Sequence, residues 1–528
     1  MFVLAGGLAM SLLLLLLFAS ILGAGISADD DDPVTETSGD DTVPEVEPVF
    51  WSGTDGDDTY EHDGRGIIKG LNGNDTLEVG GYSRAEGGEG DDIITVNDIS
   101  KGYGGAGNDT MTTNNAGISH GDAGNDVIDA YNQSKAYGGA GQDTMFANRY
   151  GEITGGSGDD TLTAANFGKA GGSLGNDTIV VRDQARGWGG VGEDTLTGSD
   201  NSTIVGGSGD DVLNALGETF ARGGKGADTF VLYDTATGYG DTGNDDFTIG
   251  ANSTAYGGHG DDTFHDDGNY YGAGRGTGYG GAGDDTFEGY GHANYFGGSG
   301  DDHYEARFLY AGDSVFGGSG DDTIFVGRGG TGDGGTGNDL LGVDGTGTLS
   351  GGDGGDTLTV YQTILFNEDG AVDNHAPGAA EQLDVTLTGG NGSDTFAFSK
   401  EVFTPQIETL DDITLEQGST AAADVAATAY PATADIGTIT DFNPADDVIV
   451  VEIPDVASGY ALTEVTVVEV VGKTAAKVSL KIENDDEDQP TLERSFIVFG
   501  VTELAAETIV IRQAPAPAPA PAPAEPTT

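Results

Sequence analysis

A nine-residue pattern, G-x-x-G-x-D-x-U-x with U apolar, recurs every 17 residues along most of this 528-residue chain, and no other feature restricts the fold as much. A fixed period of this length means that each repeat is one turn of a stacked architecture and not a domain of its own. The pattern starts at Gly53, Gly70, Gly87, Gly104, Gly121, Gly138, Gly155, Gly172, Gly189, Gly206, Gly223, Gly240 and Gly257 without a slip, then at Gly280, Gly297, Gly317, Gly334, Gly351 and Gly389. Among these 19 copies, positions one and four are always Gly, and position two is Gly in 14, the exceptions being Thr54, Leu71, Asp122, Ser173 and Asp241. Such glycines mark backbone that takes positive φ or that another group approaches closely. Position six is always Asp: Asp58, Asp75, Asp92, Asp109, Asp126, Asp143, Asp160, Asp177, Asp194, Asp211, Asp228, Asp245, Asp262, Asp285, Asp302, Asp322, Asp339, Asp356 and Asp394. Position eight is apolar or Tyr, as in Leu77, Ile94, Met111 and Phe230.

Position ten is usually small and apolar (Val79, Val96, Ala130), so by the two-residue period of a strand it shares an inward face with position eight. Position sixteen (Ile68, Ala85, Ala136, Ile204) reads as the inward residue of a second strand. One coil therefore holds two strands and two loops, and only one loop carries the Gly-Asp motif. The expected fold is all-β: a right-handed parallel β-roll or β-solenoid of 17-residue coils with a small C-terminal β cap. Of 18 intervals between motifs 15 are 17 residues long, and those of 23 and 20 are expected to bulge on the motif-free edge. That edge reads Asn97-Asp98, Asn114-Asn115, Asn132-Gln133 and Asp200-Asn201, the composition of side-chain-capped turns.

With 89 acidic and 20 basic residues the formal charge is −69, so a cation is expected in the folded state. The absence of Cys excludes disulfides and thiolate sites and leaves oxygen ligands, which suit hard cations. No basic patch is visible in the sequence, so nucleic acid is not an expected partner. Residues 1–28 form an uncharged, Leu-rich segment long enough to cross a bilayer, readable as an uncleaved membrane anchor or as a cleaved signal peptide lacking a basic n-region. An acidic linker (29–50) leads to the roll (51–400, with a loop insertion at about 361–388). A linker (401–435), the β cap (436–512) and a Pro/Ala tail (513–528) follow. A hairpin of Thr463 to Val471 with Lys477 to Glu483 is expected within the cap.

Copies such as Gly104-Gly105-Ala106-Gly107-Asn108-Asp109-Thr110-Met111-Thr112 resemble the hemolysin-type RTX nonapeptide, G-G-x-G-x-D-x-U-x, over residues 53 to about 398. The resemblance implies Ca²⁺ between the loops of successive coils, bound by the position-six Asp and loop carbonyls, with Asp109 sharing ions with Asp92 and with Asp126. It also implies an extracellular or cell-surface location. The family's common coil carries the motif on both edges; here one half-turn lacks it, so one row of about 15–17 Ca²⁺ ions is expected, and the ion-free roll is expected not to form. The segments Asp394-Thr395-Phe396-Ala397-Phe398 and Ile439-Thr440-Asp441-Phe442 to Asp447-Val448-Ile449 resemble the segment that closes such rolls in type I secretion substrates.

Other motifs fit the repeat better than a catalyst. Gly171-Gly172-Ser173-Leu174-Gly175 matches a nucleophile elbow but lies in the repeat register without a triad His, and Gly102 to Gly107 matches G-x-G-x-x-G with no helix after it. The seven His are scattered, so no zinc-protease site is expected. Trp188 and the position-seventeen tyrosines (Tyr103, Tyr137, Tyr239, Tyr256, Tyr279) read either as a shield over the sheet or as a glycan-binding face. Thr fills position seven in 13 copies but position nine in only six, which breaks the ladder an ice-binding solenoid would need. The expected function is that of a non-enzymatic structural or adhesive surface module. The alternative is a role attached to an exported polysaccharide-modifying enzyme.

Overall fold

The computed structural model describes residues 47–513 apart from 251, 267–275, 290–292, 307–311, 345, 362–384, 399–432, 444–446, 454–459, 470–474, 485–491, 500 and 502–508. The apolar segment 1–28, nearly all of the acidic stretch 29–50, most of the insertion and of the linker 401–435, and the tail therefore lie outside the described residues. What is described is all-β, with parallel strands stacked as a solenoid of 17-residue turns. Among the described residues no helix is long and apolar enough to cross a membrane.

Each coil gives one strand to each of two sheets. In the first sheet, strands such as Arg84–Glu89, Lys101–Ala106 and Ile118–Ala123 cover positions fifteen to three. In the second, strands such as Ile93–Val96 and Thr110–Thr113 start at position seven. Register is kept coil after coil, as in Lys135↔Glu152↔Lys169↔Arg186. Alternation does the rest: Ala85, Ile94 and Val96 are fully buried while Arg84 and Ile93 face outward. Large and small inward residues complement each other across the two sheets. Phe230, Phe247, Phe264 and Phe287 stack in a row with centroids 4.4, 5.0 and 4.6 Å apart, and the facing position sixteen is Ala221, Gly238, Ala255 or Gly278. A Cβ on Gly278 would come within 3.3 Å of both Phe264 and Phe287.

The two edges differ. All three longer intervals insert on the motif-free edge: between Thr263–Asp266 and Thr277–Ala282, between His303–Ala306 and Ser314–Ser319, and between Thr357–Tyr361 and Val385–Asn391. Regular coils there turn through two residues of positive φ, such as Asn132 (53°) with Gln133 (70°) and Asp200 (55°) with Asn201 (63°). Turn peptides bond to the coil above, as Gln133 N–H does to Arg149 O at 3.2 Å. Asn side chains link coils too, Asn114 Nδ2 donating to Asn97 Oδ1 at 3.2 Å. These bonds satisfy turn peptides and Asn side chains along the regular coils of this edge, although Ser253 Oγ there is buried without a hydrogen-bond partner.

Past the last motif copy, at Gly389, the solenoid continues without the glycine motif. Thr433–Ile439 pairs in parallel with Val385–Asn391, and Val448–Ile453 with Thr395–Phe398. Tyr460–Glu469 and Ala475–Asn484 form an antiparallel hairpin, and Leu492–Phe499 joins it to Thr433–Ile439. The first sheet thus ends in antiparallel strands, while the second ends on Ile509–Gln513, paired in parallel with Val448–Ile453.

Candidate metal centre

On the motif edge the position-six aspartates form one unbroken ladder. The backbone N–H of each Asp donates to Oδ1 of the Asp in the next coil, from Asp58 to Asp75 (2.8 Å) through to Asp356 and Asp394 (3.0 Å). It crosses the intervals of 23, 20 and 38 residues because the extra residues lie on the other edge. All but Asp58 are buried.

The second carboxylate oxygen is the unusual one. Oδ2 of Asp75, Asp92, Asp109, Asp126, Asp143, Asp160, Asp177, Asp194, Asp211, Asp228, Asp245, Asp262, Asp285, Asp302, Asp322, Asp339 and Asp356 is buried without a hydrogen-bond partner. A charged oxygen withdrawn from water without a partner costs several kcal/mol, and here the cost recurs in coil after coil. At the N-terminal rim Asp58 differs, since its Oδ2 accepts from Thr54 N–H (2.6 Å) and Thr54 Oγ1 (3.0 Å).

The invariant glycines make room for that oxygen. A Cβ on Gly87 would lie 2.0 Å from Asp92 Oδ2 and 2.6 Å from Gly104 O, so carboxylate and carbonyl oxygens of adjacent coils line one small space. Position one is Gly for this reason, and not for a positive φ. After the first copy, position four is Gly for a positive φ and for the close approach of the preceding coil: Gly90 has φ 128°, and a Cβ there would meet Gly73 O at 2.2 Å. Among the described residues no three acidic or His side chains converge, so an ion on this edge would take backbone carbonyls besides the Asp ladder.

Two further groups were not read from the sequence. Position five is Asp or Asn in 14 of the 19 copies, and its side chain accepts the N–H of the next coil's position five, as Asn74 Oδ1 does from Asp91 and Asp91 Oδ1 from Asn108. This second ladder runs opposite in direction to the first. Its signal was the Asp/Asn bias beside the invariant Asp. Asp447, buried and without the glycine motif, accepts from Asp394 N–H at 3.1 Å and extends the ladder by one coil. Asp441 accepts from the N–H groups of Gly389 (2.9 Å) and Gly390 (2.7 Å).

Burial raises the ladder carboxyls from Asp75 to Asp394, opposed by the backbone N–H each accepts and, at most of them, reinforced by neighbouring carboxylates. Asp228 and Asp285 are pushed up to about 8, and Asp109, Asp160, Asp211, Asp262 and Asp322 to about 7. An unfolded Asp titrates near 4. Between these values the metal-free folded chain binds more protons than the unfolded chain, so its stability is greatest at low pH and is lost as pH rises through about 6 to 8. Thermal melts in excess chelator are expected to show a melting temperature that falls as pH rises above 5, until at pH 8 no folded signal remains to melt; a melting temperature that rises with pH would contradict the geometry.

The remaining sequence candidates take ordinary places. Ser173 sits at position two with φ 97°, in the repeat register. Tyr103, His120 and Tyr137 stack on one another at 5.0 and 4.8 Å, and Tyr239, Tyr256, Tyr279, Phe296 and Phe316 form a second outer row. Within these rows ring faces cover one another. No family model matches the chain, and no curated protein is similar enough to be matched to it.

Proposed function

We propose that the solenoid is a calcium-binding module of the RTX type, acting outside the cell as an ion-stiffened structural or adhesive element. The observation that carries this reading is the row of 17 buried, unpartnered Oδ2 atoms along one edge. Buried carboxylates in such a row must be neutralised, and carboxylate with carbonyl oxygen is the donor set of a hard cation such as Ca²⁺. The residues that would hold the ions are the position-six aspartates from Asp75 to Asp356 together with carbonyls such as Gly104 O. A bound divalent ion would supply the charge that lets each carboxylate stay ionised inside the fold. The chain's own contribution is to pre-position Oδ1 on a backbone N–H and to keep Cβ atoms out of the space. Extracellular calcium modules fill only where the ion is near millimolar, which ties folding to the outside of the cell.

Counting bound Ca²⁺ by native mass spectrometry and calorimetry tests the reading. A total of about 15–17 ions, about one per interval of the row of unpartnered Oδ2 atoms from Asp75 to Asp356, is the expected result, because that row lies on the motif edge alone. A total near twice that would place ions on both edges, and none would sink the proposal.

A further inference from the structure

The 20 Lys and Arg of the chain look scattered in sequence, yet the fold gathers them. On the first-sheet strands from Gly66–Asn72 to Phe220–Lys225 there are eight: Lys69, Arg84, Lys101, Lys135, Lys169, Arg186, Arg222 and Lys225, all exposed. The same strands hold four acidic residues, Glu86, Glu89, Asp122 and Glu152. Second-sheet strands of the same coils, from Thr59–Gly64 to Val212–Leu216, contain no Lys or Arg. One face of a chain carrying −69 is thus locally cationic. It was invisible as a basic patch because its members stand one or two repeats apart.

Five of these cations occupy position fifteen, and Lys101, Lys135 and Lys169 follow one another two coils apart, roughly 10 Å at the spacing of paired strands. Glu152 lies between Lys135 and Lys169, at 3.0 and 3.9 Å. Among the described residues Lys101, Arg186 and Lys225 have no ion-pair partner. Beside this row the outer aromatic stack is interrupted. Tyr137 ends it, Thr154 and Gly171 follow in register, and Trp188 stands next as a single ring before Val205. A Cβ on Gly171 would meet nothing within 4 Å, so the small residues Thr154 and Gly171 leave an open notch between Tyr137 and Trp188, each 38% exposed at its ends.

We propose that this face, from Arg84 to Lys225, docks a linear acidic polysaccharide carrying a carboxylate on alternate sugars, its charges on the position-fifteen cations and its rings in the notch between Tyr137 and Trp188. Charge spacing selects the partner. Duplex nucleic acid carries a charge about every 1.7 Å, far denser than this row, and most of its phosphates would face the acidic remainder of the chain. Single strands need successive open ring faces, whereas Tyr103, His120 and Tyr137 cover one another. A polymer with one charge per two sugars matches two-coil steps, and flat sugar rings suit an aromatic-walled notch.

This inference rests on the solenoid geometry and adds a partner class to the adhesive reading. It is tested on the full chain in millimolar Ca²⁺, with bound ions counted on the same sample, so its failure leaves the calcium reading standing and the reverse. The probe is a fluorescent hyaluronan dodecasaccharide, with a neutral dextran oligosaccharide and a thymidine oligonucleotide alongside. The triple variant Lys101→Gln, Lys169→Gln, Arg186→Gln is expected to weaken hyaluronan binding about ten-fold or more and to flatten its salt dependence. Trp188→Ala is expected to weaken it by roughly five-fold or more, and Arg182→Gln, on the motif-free edge, to leave it unchanged. Circular dichroism establishes that each variant folds. Hyaluronan binding no tighter than dextran, equal binding by the triple variant, or tighter binding of the oligonucleotide overturns the proposal.

Discussion

Removing Ca²⁺ at pH 8 is expected to abolish the β-sheet circular dichroism of the protein in one cooperative transition, and readdition of Ca²⁺ to restore it. With the metal gone, Asp228 and Asp285, whose carboxyls burial raises to about 8, and their neighbours Asp211 and Asp262, raised to about 7, must either ionise without a partner or hold protons against the solvent pH. Seventeen such groups share one edge, and the loss at each weakens its neighbours, because coils stabilise only adjacent coils. At pH 5 the same carboxyls keep their protons, and an appreciable part of the β signal is expected to survive chelation. Mg²⁺ is not expected to substitute at either pH, since it requires compact octahedral geometry and gives up water reluctantly. A spectrum at pH 8 that is indifferent to excess chelator would remove the basis of the calcium reading.

Single substitutions in a middle coil give the second large effect. Asp177→Ala deletes the acceptor for Asp160 N–H (2.8 Å) and one buried oxygen of the proposed ion row. An unsatisfied buried N–H alone costs roughly 1–3 kcal/mol, and the lost ion adds to it. Calorimetry is expected to show one or two fewer bound ions and a lower melting temperature, with distant coils still loaded. Gly172→Ala reaches the same site from the other side: its Cβ would lie 1.9 Å from Asp177 Oδ2 and 2.7 Å from Gly189 O. Since the backbone at Gly172 lies outside the positive-φ region, the cost reports on crowding of the carboxylate and not on strain. The double variant is expected to lose less than the sum of the two, because the contact with Oδ2 disappears with the Asp. Asp183→Asn is the control. Asp183 is exposed on the motif-free edge at φ 56°, a conformation Asn tolerates equally well, so ion count and melting temperature are expected to stay within error. Loss of an ion there would mean that both edges bind metal.

The cationic face and the aspartate ladder differ in how they can be seen. Asp92 and Asp109 announce themselves because every copy repeats them beside invariant glycines, and a period of 17 with apolar positions eight, ten and sixteen admits little besides a two-sheet solenoid. The sequence by itself determined the coil, the inward residues and the edge on which the aspartates lie, since all three follow from local periodicity. Three things were left to the tertiary structure. One is the division of labour within each carboxylate, Oδ1 on the preceding coil's N–H and Oδ2 buried without a partner, which depends on the stagger between coils. Another is the extra rung at Asp447, whose preceding sequence has none of the glycines that betray the others. The last is the gathering of Lys101, Lys135, Lys169 and Arg186 on one face: residues 17 or 34 apart in the chain become neighbours only when parallel stacking turns sequence period into distance.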